Sequence, residues 1–289
     1  MLLTISPPDG SIVIKAEPLT AIAFSPFGTV ISTTHNPSAA ISANQGSALK
    51  YVDVSPLLDF YAQAPSHVPS KAAMNMFVCS PRTLSYCDDG KTTEFKVEIL
   101  ERHPFTTQTF SPLGLAKGEV TKFLVIVAPT LPLSERDIGL PVPRSAKTTN
   151  VELPGRGLPD LAKLKAFLAD GSQAITYGAG TWHAPMVVLG KKDVAFVVSQ
   201  FVNGVGEEDC QEVVWDGDVK VAIEQEKESY DDQVALLPET GETGQENYKD
   251  QVSLLPQTAA TGLSKIAQDR LGEEGKKAIH GVKSGLPKL

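Results

Sequence analysis

Short apolar runs recur along the first two-thirds of the chain, separated by proline, glycine and small polar residues. They are Ile12-Val13-Ile14, Thr29-Val30-Ile31, Met76-Phe77-Val78, 95–100, Phe123-Leu124-Val125-Ile126-Val127, Val187-Val188-Leu189, 194–201 and 212–215. Runs of this length between turn residues predict strands, and their regular recurrence predicts an all-β barrel or double-sheet roll. One stretch carries the helical period instead. Leu161, Leu164, Phe167 and Leu168 form one stripe, Lys163 and Lys165 face away, Asp160 stands where a cap belongs, and Asp170-Gly171 closes the run. A shorter helix is expected over 57–62. Two long connections, 33–47 and 131–158, are ordered by proline rather than by periodicity, and loops at a barrel mouth often carry binding groups.

The pattern changes after Trp215. YDDQVALLPETG at 230–241 returns as YKDQVSLLPQTA at 248–259, eighteen residues on. Such a repeat could be an extended peptide that lies in a partner's groove, but its acids and lack of bulky residues favour a solvated, disordered tail. A weak amphipathic helix over 263–282 is interrupted by Gly272, Gly275 and Gly281. The expected organisation is therefore a mainly β domain over 1–218 and a poorly ordered or partly helical tail over 219–289, for which the sequence names no partner.

Charge sharpens this division. Residues 1–215 carry 20 acidic and 17 basic side chains, whereas 216–250 carry 11 and 3, and 251–289 carry 3 and 6. The apolar-patterned part is nearly neutral and offers no basic face for a phosphate backbone, so nucleic acid is not an expected partner. No apolar run approaches the ~20 residues that span a bilayer. The amino terminus lacks a basic segment and is broken by prolines, unlike a signal peptide, so an intracellular, cytoplasmic location is expected. Cys79, Cys87 and Cys210 make an odd count without metal-ribbon spacing, as for reduced thiols.

Two histidine-bearing segments carry the candidate chemistry. Phe95, Val97 and Ile99 alternate with Lys96, Glu98 and Leu100, so Glu101 and His103 should share one face, with Arg102 opposite. In Tyr177-Gly178-Ala179-Gly180-Thr181-Trp182-His183-Ala184-Pro185, two glycines permit the positive φ of a tight turn that begins a hairpin. That turn would deliver His183 to a strand mouth, with Trp182 packed at the rim. Cys210 has no sequence context of a nucleophile. Gln200, Asp209 and Glu212 suit solvated or capping positions as well as a site.

The second segment resembles the second motif of metal cupins, with Gly178 where proline is usual. In the first motif Glu101 takes one histidine place, His103 the other and Gln108 the glutamate place. Such a set could hold a divalent ion through Glu101, His103, Gln108 and His183, but nothing in it requires one.

A closer resemblance is to the ureidoglycolate lyase family. Its phrases are Asn44-Gln45-Gly46-Ser47-Ala48-Leu49-Lys50-Tyr51, then Asn75-Met76-Phe77-Val78-Cys79-Ser80-Pro81-Arg82, then Glu101-Arg102-His103-Pro104 with Gln108, Phe110 and Pro112. The segment 177–185 and the stretch from Asp193 through Asp209-Cys210 complete the set. The resemblance covers about 18–215 and leaves the repeats outside. It implies a mainly β, cupin-like double-stranded barrel with a few short helices, acting as a homodimer late in purine and allantoin breakdown. The implied reaction releases urea from ureidoglycolate and leaves glyoxylate.

That substrate is a hemiaminal, whose cleavage needs a base at the hydroxyl and an acid at the departing nitrogen, but no redox cofactor. His103 and His183 are the expected proton carriers, with Glu101 orienting an imidazole or serving as base. Arg82, with Lys50 next, is expected to clamp the carboxylate, and Asn44, Asn75 and Gln108 to read the ureido group. Two other readings fit the same residues: an amidohydrolase releasing ammonia and carbon dioxide, and a non-catalytic barrel that binds a small acid.

Overall fold

In the computed structural model, which describes residues 2–33, 39–135, 139–144 and 153–224, each apolar run lies in a strand except 95–100, which is divided between two. The larger sheet has eleven strands. From edge to edge they run Leu2–Ile5, Gln211–Trp215, Ile99–Arg102, Trp182–His183, Lys122–Ala128, Lys165–Ala169, Ser11–Pro18, Asp218–Glu224, Thr92–Lys96 and Ser85–Tyr86, with Val187–Leu189 also on Lys122–Ala128. The smaller sheet orders Gly28–Ser32, Gln173–Tyr177, Gln108–Leu113, Val194–Val202 and Lys71–Cys79. The architecture is mainly β and cupin-like, with curled sheets and a few short helical turns.

Lys122–Ala128 explains how the sheets are joined. Leu124, Ile126 and Ala128 enter one apolar cluster with Leu100, Trp182, Val213 and Val221. Phe123, Val125 and Val127 enter a second with Phe110, Phe167, Ile175, Tyr177 and Phe196, where the smaller sheet packs. A strand buried on both faces reads as an uninterrupted apolar run, as this one does.

The same circumstance corrects the helix expected over 161–170. Leu161–Lys163 is a single 3-10 turn without a side-chain cap from Asp160, and Lys165–Ala169 is a strand between Lys122–Ala128 and Ser11–Pro18. Its interior position buries Ala166, Phe167 and Ala169, a run that periodicity cannot tell from a helix. The helix expected over 57–62 is likewise reduced to a 3-10 turn, Tyr61–Gln63.

The alternation expected over 95–100 breaks between two strands, Thr92–Lys96 and Ile99–Arg102. Phe95 and Val97 therefore share their cluster with Leu100 rather than with Ile99. The sheet also continues past residue 218. Asp218–Glu224 pairs with Ser11–Pro18 and Thr92–Lys96, burying Val219, Val221 and Ile223, so the expected boundary falls at the start of a central strand. The repeats and the helix expected over 263–282 lie outside the described residues. Among the described residues no helix is long and apolar enough to cross a membrane.

Candidate active site

Strand register builds the site from the larger sheet. Val127 pairs with His183 and His183 with Glu101, which puts all three on the face that meets the smaller sheet. His103 follows Glu101 by two residues and joins that face, while Arg102 takes the opposite one. There the Arg102 guanidinium donates to Gln211 and to the carbonyls of Gly155, Arg156 and Gly157, and lies over the Trp182 ring. A fully buried cation is tolerable because these acceptors replace its water.

The segment 177–185 does not begin a hairpin. Tyr177 ends a strand of the smaller sheet and Trp182 begins one of the larger, so the turn carries the chain across. Thr181 N–H donates to Gly178 O across the turn, and Gly180, not Gly178, takes the positive φ, 80°. The Gly180 amide also donates to His103 O at 2.8 Å, tying the two histidine segments together.

Both imidazoles are oriented in the same way. His103 Nδ1 lies 2.6 Å from Asp209 O, and His183 Nδ1 lies 2.9 Å from Thr181 O. A carbonyl only accepts, so each Nδ1 carries the hydrogen and each Nε2 keeps a lone pair. Those Nε2 atoms are buried, have no hydrogen-bond partner, and face Glu101 Oε1 at 4.0 Å from His103 and 3.5 Å from His183. Lone pairs against a carboxylate oxygen are unfavourable until a proton or a cation stands between them.

A second layer holds these groups in place. Asp209, whose carbonyl orients His103, has a carboxylate that accepts from Tyr61 Oη and from the amides of Asn203 and Gly204. Cys210 Sγ approaches Glu101 Oε2 at 3.8 Å. The His183 ring stacks on Tyr177, with centroids 3.9 Å apart. Burial acts on His103 most strongly and pushes its pKa down, as does the charge of His183. Burial alone would push Glu101 up, but His183, His103 and the Cys210 thiol hold it below the usual carboxylate value. Burial first, then Glu101, raises the Cys210 thiol to about 12, so it remains S–H at neutral pH.

Of the other sequence-predicted residues, one lies beside the site and four are exposed. Gln108 is buried and pairs across from Tyr177 at the same end of the interior. Asn44 lies in an exposed 3-10 turn with φ 48°, and Lys50 ends an exposed hairpin strand, Ala48–Lys50. Asn75 is exposed on the edge strand Lys71–Cys79, and Arg82 is exposed with its guanidinium over Phe95. Among the described residues no hydrogen bond or ion pair joins these four to Glu101, His103 or His183. Tyr177, Gln200 and Cys210, in contrast, contact expected site residues; Tyr177 stood within the 177–185 phrase and the other two within the stretch from Asp193 through Cys210, but only strand pairing shows which residues they meet.

The donor set also fits a divalent ion. Glu101, His103 and His183 each offer one ligand atom, and all three lie within 4.8 Å of one another. Two imidazoles and a carboxylate on one face, with both Nε2 lone pairs unspent, match the chemistry of such an ion.

Comparison with known proteins gives the family of the chain. The family model described as ureidoglycolate lyase matches residues 11–222. A ureidoglycolate lyase of Schizosaccharomyces pombe is 35% identical over 210 residues, covering 73% of this chain and 95% of the relative. One from Saccharomyces cerevisiae is 34% identical over 225 residues, covering 73% and 100%. One from Burkholderia mallei is 28% identical over 204 residues, covering 70% and 92%. With two fungal relatives matched almost end to end, and a family model spanning both histidine segments, the chain belongs to the ureidoglycolate lyase family.

Proposed function

We infer that this chain is a carbon–nitrogen lyase that cleaves ureidoglycolate to urea and glyoxylate, a step of purine breakdown. The observation that carries the reading is the convergence of two orphaned, buried Nε2 atoms on one carboxylate oxygen, in a chain of this family. The hydroxyl of the substrate loses its proton as the C=O forms, the C–N bond breaks with its electron pair on nitrogen, and that nitrogen gains a proton.

His103 is held neutral at pH 7 by burial and offers the lone pair that takes the hydroxyl proton. A proton shared between His183 Nε2 and Glu101 Oε1 relieves their 3.5 Å contact and is the one delivered to the leaving urea. Substrate enters beside Glu101, whose side chain is 21% exposed against 2% for His183.

A second reading rests on the 4.8 Å cluster: Glu101, His103 and His183 would hold a divalent ion. That ion would supply Lewis-acid polarisation of the substrate oxygens. Assay of urea, ammonia and glyoxylate, before and after chelation, separates the possibilities. Urea with glyoxylate and no ammonia is expected; ammonia without urea would establish the amidohydrolase instead. Activity that survives chelation supports proton transfer alone, and activity lost to chelator and restored by a divalent ion supports the metal.

The working form proposed is an intracellular homodimer. Lys71–Cys79 is an edge strand, and Met74, Met76 and Val78 on its outer side are 76%, 63% and 63% exposed. An apolar edge of that kind is ordinarily covered. Three free cysteines suit a reducing compartment. Met76→Asp should shift the sedimentation coefficient from dimer to monomer.

A further inference from the structure

The same end of the interior holds a pair of amides that the proton chemistry does not use. Gln108 Nε2 donates to Gln200 Oε1 at 2.7 Å. Gln108 Oε1 is then left buried with no partner, one of four such side-chain atoms among the described residues; two of the others are His103 Nε2 and His183 Nε2. Gln108 pairs with Tyr177 across the strands, and Tyr177 stacks on His183, so Gln108 and His183 are both direct neighbours of Tyr177.

We propose that Gln200 is a positioning residue that fixes the Gln108 amide so that its free oxygen accepts a hydrogen bond from the terminal NH₂ of the ureido group. The inference rests on the lyase reading and adds what selects its substrate. An amide can present either its oxygen or its NH₂ by a half-turn about its last torsion. While Gln200 offers its oxygen, Gln108 turns its NH₂ toward it and leaves its own oxygen free. A buried acceptor left unpaired is penalised, so a ligand that cannot donate there is rejected.

The test compares ureidoglycolate with an analogue carrying an acetyl group in place of the carbamoyl, so that CH₃ replaces NH₂. Gln200→Met keeps the length but removes the acceptor, and Gln200→Glu keeps an acceptor that still draws the Gln108 NH₂. The preference for ureidoglycolate, as a ratio of kcat/KM values, should fall about tenfold or more in the Met variant and stay within about threefold of wild type in the Glu variant. Taking the ratio cancels any effect of the new charge on substrates that share a carboxylate.

A wild-type ratio in Gln200→Met, with normal thermal unfolding, overturns the proposal. Loss of the ratio in both variants overturns it too, because the acceptor would not be what matters. Wild-type protein that makes no urea overturns the lyase reading itself, and with it this inference, whereas a failed ratio in an active enzyme leaves that reading intact.

Discussion

The ring of His183 lies flat against Tyr177, with centroids 3.9 Å apart and planes 13° from parallel. The turn between them moves the chain from one sheet to the other, so the stack also clamps the sheets together at the site. A stacked pair contributes about 0.5–1.5 kcal/mol beyond its burial, enough to favour one ring orientation. Tyr177→Phe keeps the stack and should leave kcat/KM within about threefold, whereas Tyr177→Leu frees the imidazole and should lower it about 10- to 100-fold. Steady-state urea release decides; equal losses in both variants would assign the effect to the hydroxyl rather than the ring.

Removing a proton carrier should cost far more than loosening it. His183→Ala and Glu101→Gln are each expected to lower kcat/KM by about a thousandfold, and the double variant by little more, because the two groups share one proton. A tenfold or smaller loss in His183→Ala, about 1.4 kcal/mol, would take His183 out of the chemistry. Single and double variants measured under one condition suffice.

Much of this was legible in the residues. The strands announced themselves because short apolar runs sit between turn residues, and Glu101, His103 and His183 emerged from period-two alternation and a glycine turn. What the sequence hid was tertiary. Lys165–Ala169 mimics a helix because an interior strand is apolar on both faces. Gln200 meets Gln108 through strand pairing across 92 residues, and Cys210 meets Glu101 across 109, neither of which any local pattern encodes. Asn44, Lys50, Asn75 and Arg82 carried the resemblance as strongly as the histidines did, yet shared motifs do not say which segments face the interior.

The loop behind His103 gives a pH dependence. Burial would raise the Glu208 carboxyl, but hydrogen bonds from Ser66 and Asn203 outweigh it and hold its pKa below the usual value of 4.5. A carboxyl depressed on folding contributes stability that is complete above its unfolded pKa and is lost as pH falls through the folded value. Thermal unfolding midpoints should therefore drop more steeply below pH 4.5 in wild type than in Glu208→Gln. The two curves should converge in acid. Parallel curves would show that this carboxylate is not part of the acid transition.

Cys210 should behave as a hydrogen-bond donor rather than a nucleophile. With its thiol raised to about 12 it carries almost no thiolate at pH 7.5. Alkylating reagents should therefore label it in the native protein far more slowly than in urea. Cys210→Ser preserves the donor to Glu101 Oε2 and should keep most activity, while Cys210→Val should lose about three- to tenfold. Complete loss in the serine variant would restore covalent catalysis by this sulfur as a serious possibility.

Where the catalytic domain is cut should matter sharply. Val219, Val221 and Ile223 are 0%, 0% and 6% exposed, and their strand fills the gap between Ser11–Pro18 and Thr92–Lys96. Burying each such side chain contributes about 1.5–3 kcal/mol, so the three together approach the whole stability of a typical domain, about 5–15 kcal/mol. A chain ended after Asp218 should be insoluble or lack a cooperative unfolding transition. One ended after Glu226, where the first compact unit closes, should unfold cooperatively and release urea at the full-length rate. If the longer truncation folds but loses activity, the segment that carries the two repeats takes part in the reaction, and a role for Tyr230 to Ala259 must be sought at the site itself.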